Sequence, residues 1–186
     1  MSGDDQILPV PVDDGAAGHL VGRTLPCVEF VDARGTPVDL SIIRRAVVIV
    51  YPATGVPGRD PSVDPAPGWD AIPGASGCTA QSLGFRDAFE RFLAHGFKVI
   101  AISSQPHEEQ TDFVLRHAIP FTVLSDPSFQ LADALALPTF TAGGNRFYRR
   151  LTMIIANASI AHVIYPVFPS GTSARDTLAW IQAHPE

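Results

Sequence analysis

Seven consecutive uncharged residues, AVVIVYP at Ala46–Pro52, limit this chain's architecture more than any other stretch. A continuous apolar run of strand length suits a strand buried on both faces, in the middle of a sheet with helices on either side. KVIAIS at Lys98–Ser103 and FTVLS at Phe121–Ser125 repeat the signal. LTMIIA at Leu151–Ala156 and HVIYPVF at His162–Phe168 flank Asn157–Ser159, the pattern of a hairpin. CVEFV at Cys27–Val31 predicts one more strand, with a turn over Asp32–Thr36.

Helical spacing fills the gaps between these runs. Phe85, Ala88, Phe89, Phe92 and Leu93 recur on one face and Gly96 stops them, which predicts a helix of roughly 16 residues. Ser76 is its expected N-cap, and Asp87 four residues before Arg91 supports it modestly. Pro106 near N1, with Glu108 and Glu109 in the first turn, starts a second helix. Asp126–Pro127 opens a third through Leu135, and Thr172 or Ser173 opens a terminal one with Ala174, Leu178 and Ile181 on one face. Strands alternating with helices and ending in a hairpin and helix predict an α/β domain with a mixed central sheet flanked by helices.

Composition sets the limits of function. The 186 residues suffice for one domain with a substantial core, and 46% hydrophobic with 17% charged residues is a globular balance. A formal net charge of −6, with no basic run longer than the pairs Arg44–Arg45 and Arg149–Arg150, argues against nucleic acid or an anionic membrane surface as partner. No apolar run reaches the roughly 18–20 residues that span a bilayer. The acidic, Pro/Gly-rich start lacks the pattern of a secretory signal, and residues 1–18 read as a flexible arm ahead of a domain over 19–186. Two cysteines make neither a disulfide framework nor a four-cysteine zinc site, so the expected compartment is a reducing cytoplasm.

After the first central strand comes a long Pro/Gly-dense segment over residues 53–76, ending in IPGAS and running into GCTAQSLGFRD at Gly77–Asp87. A patternless connection of this length is either a functional loop or a mobile insertion; Trp69 and Ile72 are available to anchor it. Cys78 follows immediately, at or beside the first turn of a helix. Unpaired N–H groups and the positive end of the dipole favour a thiolate there. The alternative is a small buried hydrophobe, the common role of an isolated cysteine.

The ordered set VIVYP, GCTAQSLGFRD, VIAISSQ, FTVLSD and RRLTMII resembles the peroxiredoxin family, and more narrowly its bacterioferritin-comigratory-protein or peroxiredoxin Q branch. The resemblance covers about residues 19–185. It implies a thioredoxin-like fold and cofactor-free reduction of hydroperoxides, with Cys78 as the peroxidatic cysteine and Arg150 as the active-site arginine. Alternation along a strand sends Arg149 to the opposite face from Arg150. In the family a Pro and a Thr or Ser precede the cysteine by seven and three positions; here Ala71 and Ala75 stand there. The proline then matches Pro52, displaced by about 19 inserted residues, and the hydroxyl comes from either Ser76 or Thr54. Many relatives carry a resolving cysteine five positions after the first, where this chain has Leu83. Cys27 is left as a resolver or a buried structural cysteine, and the expectation is one-cysteine chemistry with an external thiol reductant of thioredoxin, glutaredoxin or small-thiol type.

Two rival functions fit the same class. A thiol–disulfide oxidoreductase would be expected to carry C-x-x-C, which does not occur, and a non-catalytic thioredoxin-like binding module needs no nucleophile. There is no H-E-x-x-H or G-x-S-x-G to support a metallohydrolase or serine hydrolase. HVIYPVF suits either a buried strand or a sheet edge that pairs in a homodimer.

Overall fold

The computed structural model describes residues 8–185. Its centre is a five-stranded mixed sheet in which Thr122–Ser125, Lys98–Ser103, Ala46–Val50, Leu151–Ala156 and Ser159–Ile164 lie side by side in that order. The parallel strands are β3 (Ala46–Val50), β4 (Lys98–Ser103) and β5 (Thr122–Ser125), and β8 (Leu151–Ala156) and β9 (Ser159–Ile164) complete it as an antiparallel hairpin. Every residue of β3 and β8 is buried, as a continuous apolar run in a two-sided sheet requires.

Strand alternation divides the core in two. Val48, Val50, Ile100, Ile102 and Met153 face a layer containing Leu20, Leu40, Leu131 and Tyr148. That layer includes the hairpin β1 (Glu29–Val31) and β2 (Pro37–Asp39) and helix α4 (Gln130–Leu135). Val47, Ile49, Tyr51, Val99 and Ala101 face the opposite layer, with Cys78, Phe85, Phe92, Phe113 and Leu178. Those side chains come from α1 (Cys78–Asp87), α2 (Phe89–Ala94), α3 (His107–His117) and α5 (Ser173–Ala183). Cys78 therefore belongs to the helical side of the sheet.

Several local expectations are corrected. The 16-residue helix is two, broken at Ala88, and the break leaves Phe85 stacked on Phe92 at 5.2 Å while Phe89 faces Phe121 at 6.2 Å. The N-cap of α1 is Gly77, not Ser76, whose Oγ donates to the Asp70 carboxylate instead. Asp126 does not begin a helix; its carboxylate accepts from the N–H groups of Gln130 (2.8 Å) and Leu131 (3.0 Å), so it holds the start of α4 from outside. Pro106 is the N-cap of α3, and the strand expected through Phe168 ends at Ile164. Cys27 precedes β1 and is exposed, not a buried structural cysteine.

A second small hairpin, β6 (Thr139–Ala142) and β7 (Asn145–Tyr148), was not legible beyond its Gly143–Gly144 turn. It carries the long loop. Trp69 packs edge-on against Phe147 at 4.9 Å and tilted against Phe140 at 5.8 Å, with Ala53, Ala66 and Ala75 buried around them. Trp69–Ala71 forms one 3-10 turn, and Ile72 packs against the same cluster. Of the segment read as an arm, residues 1–7 lie outside the described range. Over 8–18 the chain makes contacts a free arm lacks: Ala17 is buried, and Tyr165 Oη donates to Asp14 at 2.9 Å.

Candidate active site

Gly77 turns the chain into α1 with φ +99°, a conformation that L side chains rarely adopt. A Cβ there would lie 2.1 Å from Ser170 Oγ and 3.0 Å from Ser170 Cβ, in the turn that leads to α5. Glycine is thus required twice, by φ and by the close approach of that turn. Gly77 has no side chain with which to satisfy the first N–H groups of the helix, and Cys78 follows as its first residue.

Arg150 lies just ahead of β8 and crosses to the loop before α1. Its guanidinium donates from Nη2 to Cys78 Sγ at 3.1 Å, to Ala75 O at 2.9 Å and to Ser76 O at 3.1 Å, and from Nε to Gly74 O at 3.3 Å. Nη1 donates to Gln81 Oε1 at 2.5 Å, and Gln81 Nε2 reaches Ser173 Oγ at 3.3 Å. Arg150 and Cys78 are 4% and 2% exposed. Among the described residues no carboxylate pairs with Arg150. Sulfur is thus the one partner of this buried guanidinium that is not a neutral oxygen, and Cys78 Sγ also reaches Ala75 O at 3.5 Å. Arg149 turns away, with its guanidinium 5.9 Å from the Phe140 ring.

The two hydroxyl candidates occupy different settings. Thr54 and Ser76 both line, with Cys78, a cavity of about 580 Å³ whose outer wall includes Pro61, Pro65 and Trp69 of the long loop. Thr54 is 3% exposed and donates through Oγ1 to Gln105 Oε1 at 3.1 Å. Ser76 is half-buried and donates to Asp70. Ala75, where the motif has Thr or Ser, is completely buried in the Trp69 cluster, where a hydroxyl would be desolvated.

Sequence reasoning assigned no role to Gln81, Tyr51 or Gln105. Gln81 stands inside the quoted GCTAQ motif, so its signal was present without a geometry to interpret it. Tyr51 ends the apolar run of β3; its Oη donates to Gln110 Oε1 at 2.7 Å. Burial pushes the Tyr51 phenol well above its ordinary range, and negative charge on nearby Cys78 pushes it the same way, so it stays a proton donor.

The sequence matches the Redoxin family over residues 20–179. The chain belongs to the redoxin family. Within it, the chain is 28% identical to the chloroplastic peroxiredoxin Q of Sedum lineare over 77% of its own length and 67% of the relative's. It is 26% identical to peroxiredoxin bcp1 of Schizosaccharomyces pombe, over 69% of its own length and 57% of that protein's. The chain thus spans about two thirds or less of these curated relatives. The crystal structure of peroxidoxin BcpB from Mycobacterium tuberculosis superimposes with a TM-score of 0.70 at 24% identity, covering 89% of this chain and 98% of that one. The mixed sheet flanked by helices is therefore the thioredoxin-like redoxin fold, and the peroxiredoxin Q and bcp resemblance of the motifs stands. Among the described residues no helix is long and apolar enough to cross a membrane.

Proposed function

We propose that this redoxin is a thiol-dependent peroxidase with Cys78 as nucleophile, acting on hydrogen peroxide or an organic hydroperoxide. The observation that carries the reading is the buried Arg150–Cys78 contact of 3.1 Å at a helix N-terminus. Cys78 attacks as the thiolate. Its sulfur forms a bond to the terminal hydroxyl oxygen of the peroxide as the O–O bond breaks. The electron pair of that bond leaves on the second oxygen, which takes up a proton and departs as water or an alcohol. Sulfur is oxidised by two electrons to the sulfenic acid, and the peroxide is reduced by two. Arg150 and the first N–H groups of α1 face the charge that moves from sulfur to the leaving oxygen.

Regeneration is of the one-cysteine type. Leu83 is half-buried against the helical core, and α1 holds no second thiol. Cys27 lies between Leu25 and Val28, which pack into the core on the other face of the sheet from Cys78. A disulfide needs Cα atoms within about 7 Å, and the packing of these neighbours on the opposite face supports one-cysteine chemistry over that pairing. An external thiol attacks the sulfenic sulfur and releases water, and a second thiol cleaves the mixed disulfide to restore Cys78. A reducing compartment such as the cytoplasm supplies such thiols.

The test is intact mass after one equivalent of hydrogen peroxide, with and without a sulfenic-acid trap. One added oxygen or one trap adduct on Cys78 is expected, and Cys78→Ser is expected to abolish peroxide turnover while keeping the native circular dichroism. An unmodified Cys78, or turnover by the serine variant, would sink the reading.

A further inference from the structure

We infer that Gln105 is a positioning residue for the peroxide, holding the Thr54 hydroxyl as a hydrogen-bond acceptor on the Cys78 cavity. The inference rests on the peroxidase reading above and deepens it.

Gln105 lies between β4 and α3 and is 7% exposed. Its backbone is held on both sides: the N–H donates to Ser103 Oγ at 3.2 Å, and the carbonyl accepts from Ser125 Oγ at 2.6 Å. Ser103 in turn donates to Pro52 O at 3.1 Å, two residues before Thr54. The carboxamide is fully used. Oε1 accepts from Thr54 N–H at 2.7 Å and from Thr54 Oγ1 at 3.1 Å, while Nε2 donates to Thr54 O at 2.9 Å and to the Glu109 carboxylate at 2.8 Å.

These partners leave one orientation for the amide. A backbone N–H only donates, and a carbonyl and an ionised carboxylate only accept, so Oε1 must face the Thr54 N–H and Nε2 must face Thr54 O and Glu109. Oε1 cannot donate, so the Thr54 hydroxyl proton points at Gln105. What Oγ1 has left is acceptor capacity, on a side chain that lines the cavity with Cys78. The attacked oxygen of any hydroperoxide carries an O–H that needs an acceptor, and Arg150 supplies only donors. Fixing that O–H on Thr54 aligns the attacked oxygen with the sulfur before reaction, which is where positioning contributes. The restraint extends into the long loop, because Glu109 also accepts from Arg59 at 2.6 Å and Arg59 donates to Asp64 at 3.1 Å. Ser76 has no such support: its hydroxyl is committed to Asp70, on a half-buried side chain.

The experiment is a double-variant cycle on the reduced full-length protein. It reads the second-order rate of Cys78 oxidation by hydrogen peroxide and, in parallel, alkylation of Cys78 by iodoacetamide. Thr54→Val and Gln105→Met are each expected to slow oxidation about 10-fold, the scale of one hydrogen bond. Together they are expected to be no slower than Thr54→Val alone, and Thr54→Ser is expected to keep the wild-type rate. Alkylation, which needs the thiolate but no peroxide acceptor, is expected to stay within about twofold throughout. Additive losses, a wild-type oxidation rate in Gln105→Met, or parallel loss of alkylation would overturn the assignment. If Gln105→Met fails to fold, Gln105→Glu decides. Its carboxylate still accepts from Thr54 but sets its second oxygen against Thr54 O and the Glu109 carboxylate, so oxidation is expected to slow about 10-fold with alkylation within about twofold, and a wild-type oxidation rate overturns the role. A wild-type protein inert to peroxide would remove the peroxidase reading and this role together. A reactive wild type with an additive cycle would remove only this role.

Discussion

Arg150 sits in a buried site where four of its five partners are neutral oxygens and the fifth is sulfur. Its planar fork serves the Ala75 and Ser76 carbonyls, Gln81 and Cys78 at once, which a lysine ammonium on a flexible stem cannot do. Arg150→Lys is therefore expected to slow Cys78 oxidation about 100-fold, in line with losing an aimed donor from a reacting centre. Stopped-flow oxidation by peroxide checks this, and a rate within a factor of two of wild type would take the guanidinium out of the mechanism. The proximity of Cys78 and Arg150 was anticipated as a pair of residues, because GCTAQ and RRLTMII are specific patterns and alternation separates Arg150 from Arg149. Gln105 was not legible. A glutamine in a loop carries no sequence signal of what it bonds, and its partners lie 51 residues earlier in the chain and four residues later.

At the scale of elements, the start of α1 depends on the turn at Ser170–Thr172 that leads to α5. Gly77→Ala would force an L side chain to φ +99° and place its Cβ against Ser170. The expected loss is at least about 1–2 kcal/mol from backbone conformation alone, with displacement of Cys78 from Arg150. Chemical denaturation and peroxide kinetics measure the two effects. Combining it with Ser170→Gly is expected to recover the steric part only, and full recovery would show that φ is not the constraint. The same scale explains which elements were readable. β3, β4 and β8 announce themselves because two-sided burial demands nearly unbroken apolar runs. β2 and the β6–β7 hairpin are short, half-exposed and composed of mixed residues, so their identity lies in the partner strand and not in their own pattern. The helix divided at Ala88 shows the converse case, since its spacing satisfied one helix while ring packing to Phe121 and Phe92 selected two.

For the molecule as a whole, the terminal helix closes on the sheet through a stack of His162, Trp180 and His184, with centroids 4.7 and 4.2 Å apart. Burial, and then the charge of His184, lowers the affinity of His162 for a proton below the ordinary value of 6.5; burial and neighbouring arginines do the same at His117. The unfolded chain then binds more protons than the folded one below about pH 6.5, so this stability is present above that pH and lost as the pH falls through it. Thermal melts are expected to show a lower Tm at pH 5 than at pH 7.5, and His117→Gln with His162→Gln is expected to flatten that difference. An unchanged pH slope in the double variant would assign the acid sensitivity elsewhere. The sequence alone determined the two-sided sheet and the helices that cover it, because each is written in local pattern, and its motifs marked Cys78 and Arg150 as the residues to look at. Only the tertiary structure decided which hydroxyl is buried beside the cavity, that Ala75 is an apolar packing position, and that Cys27 is exposed next to residues packed on the other face of the sheet from Cys78. Those facts depend on distances between residues far apart in the chain, and chain spacing does not encode distance once a strand, a 24-residue loop over 53–76 and a helix intervene.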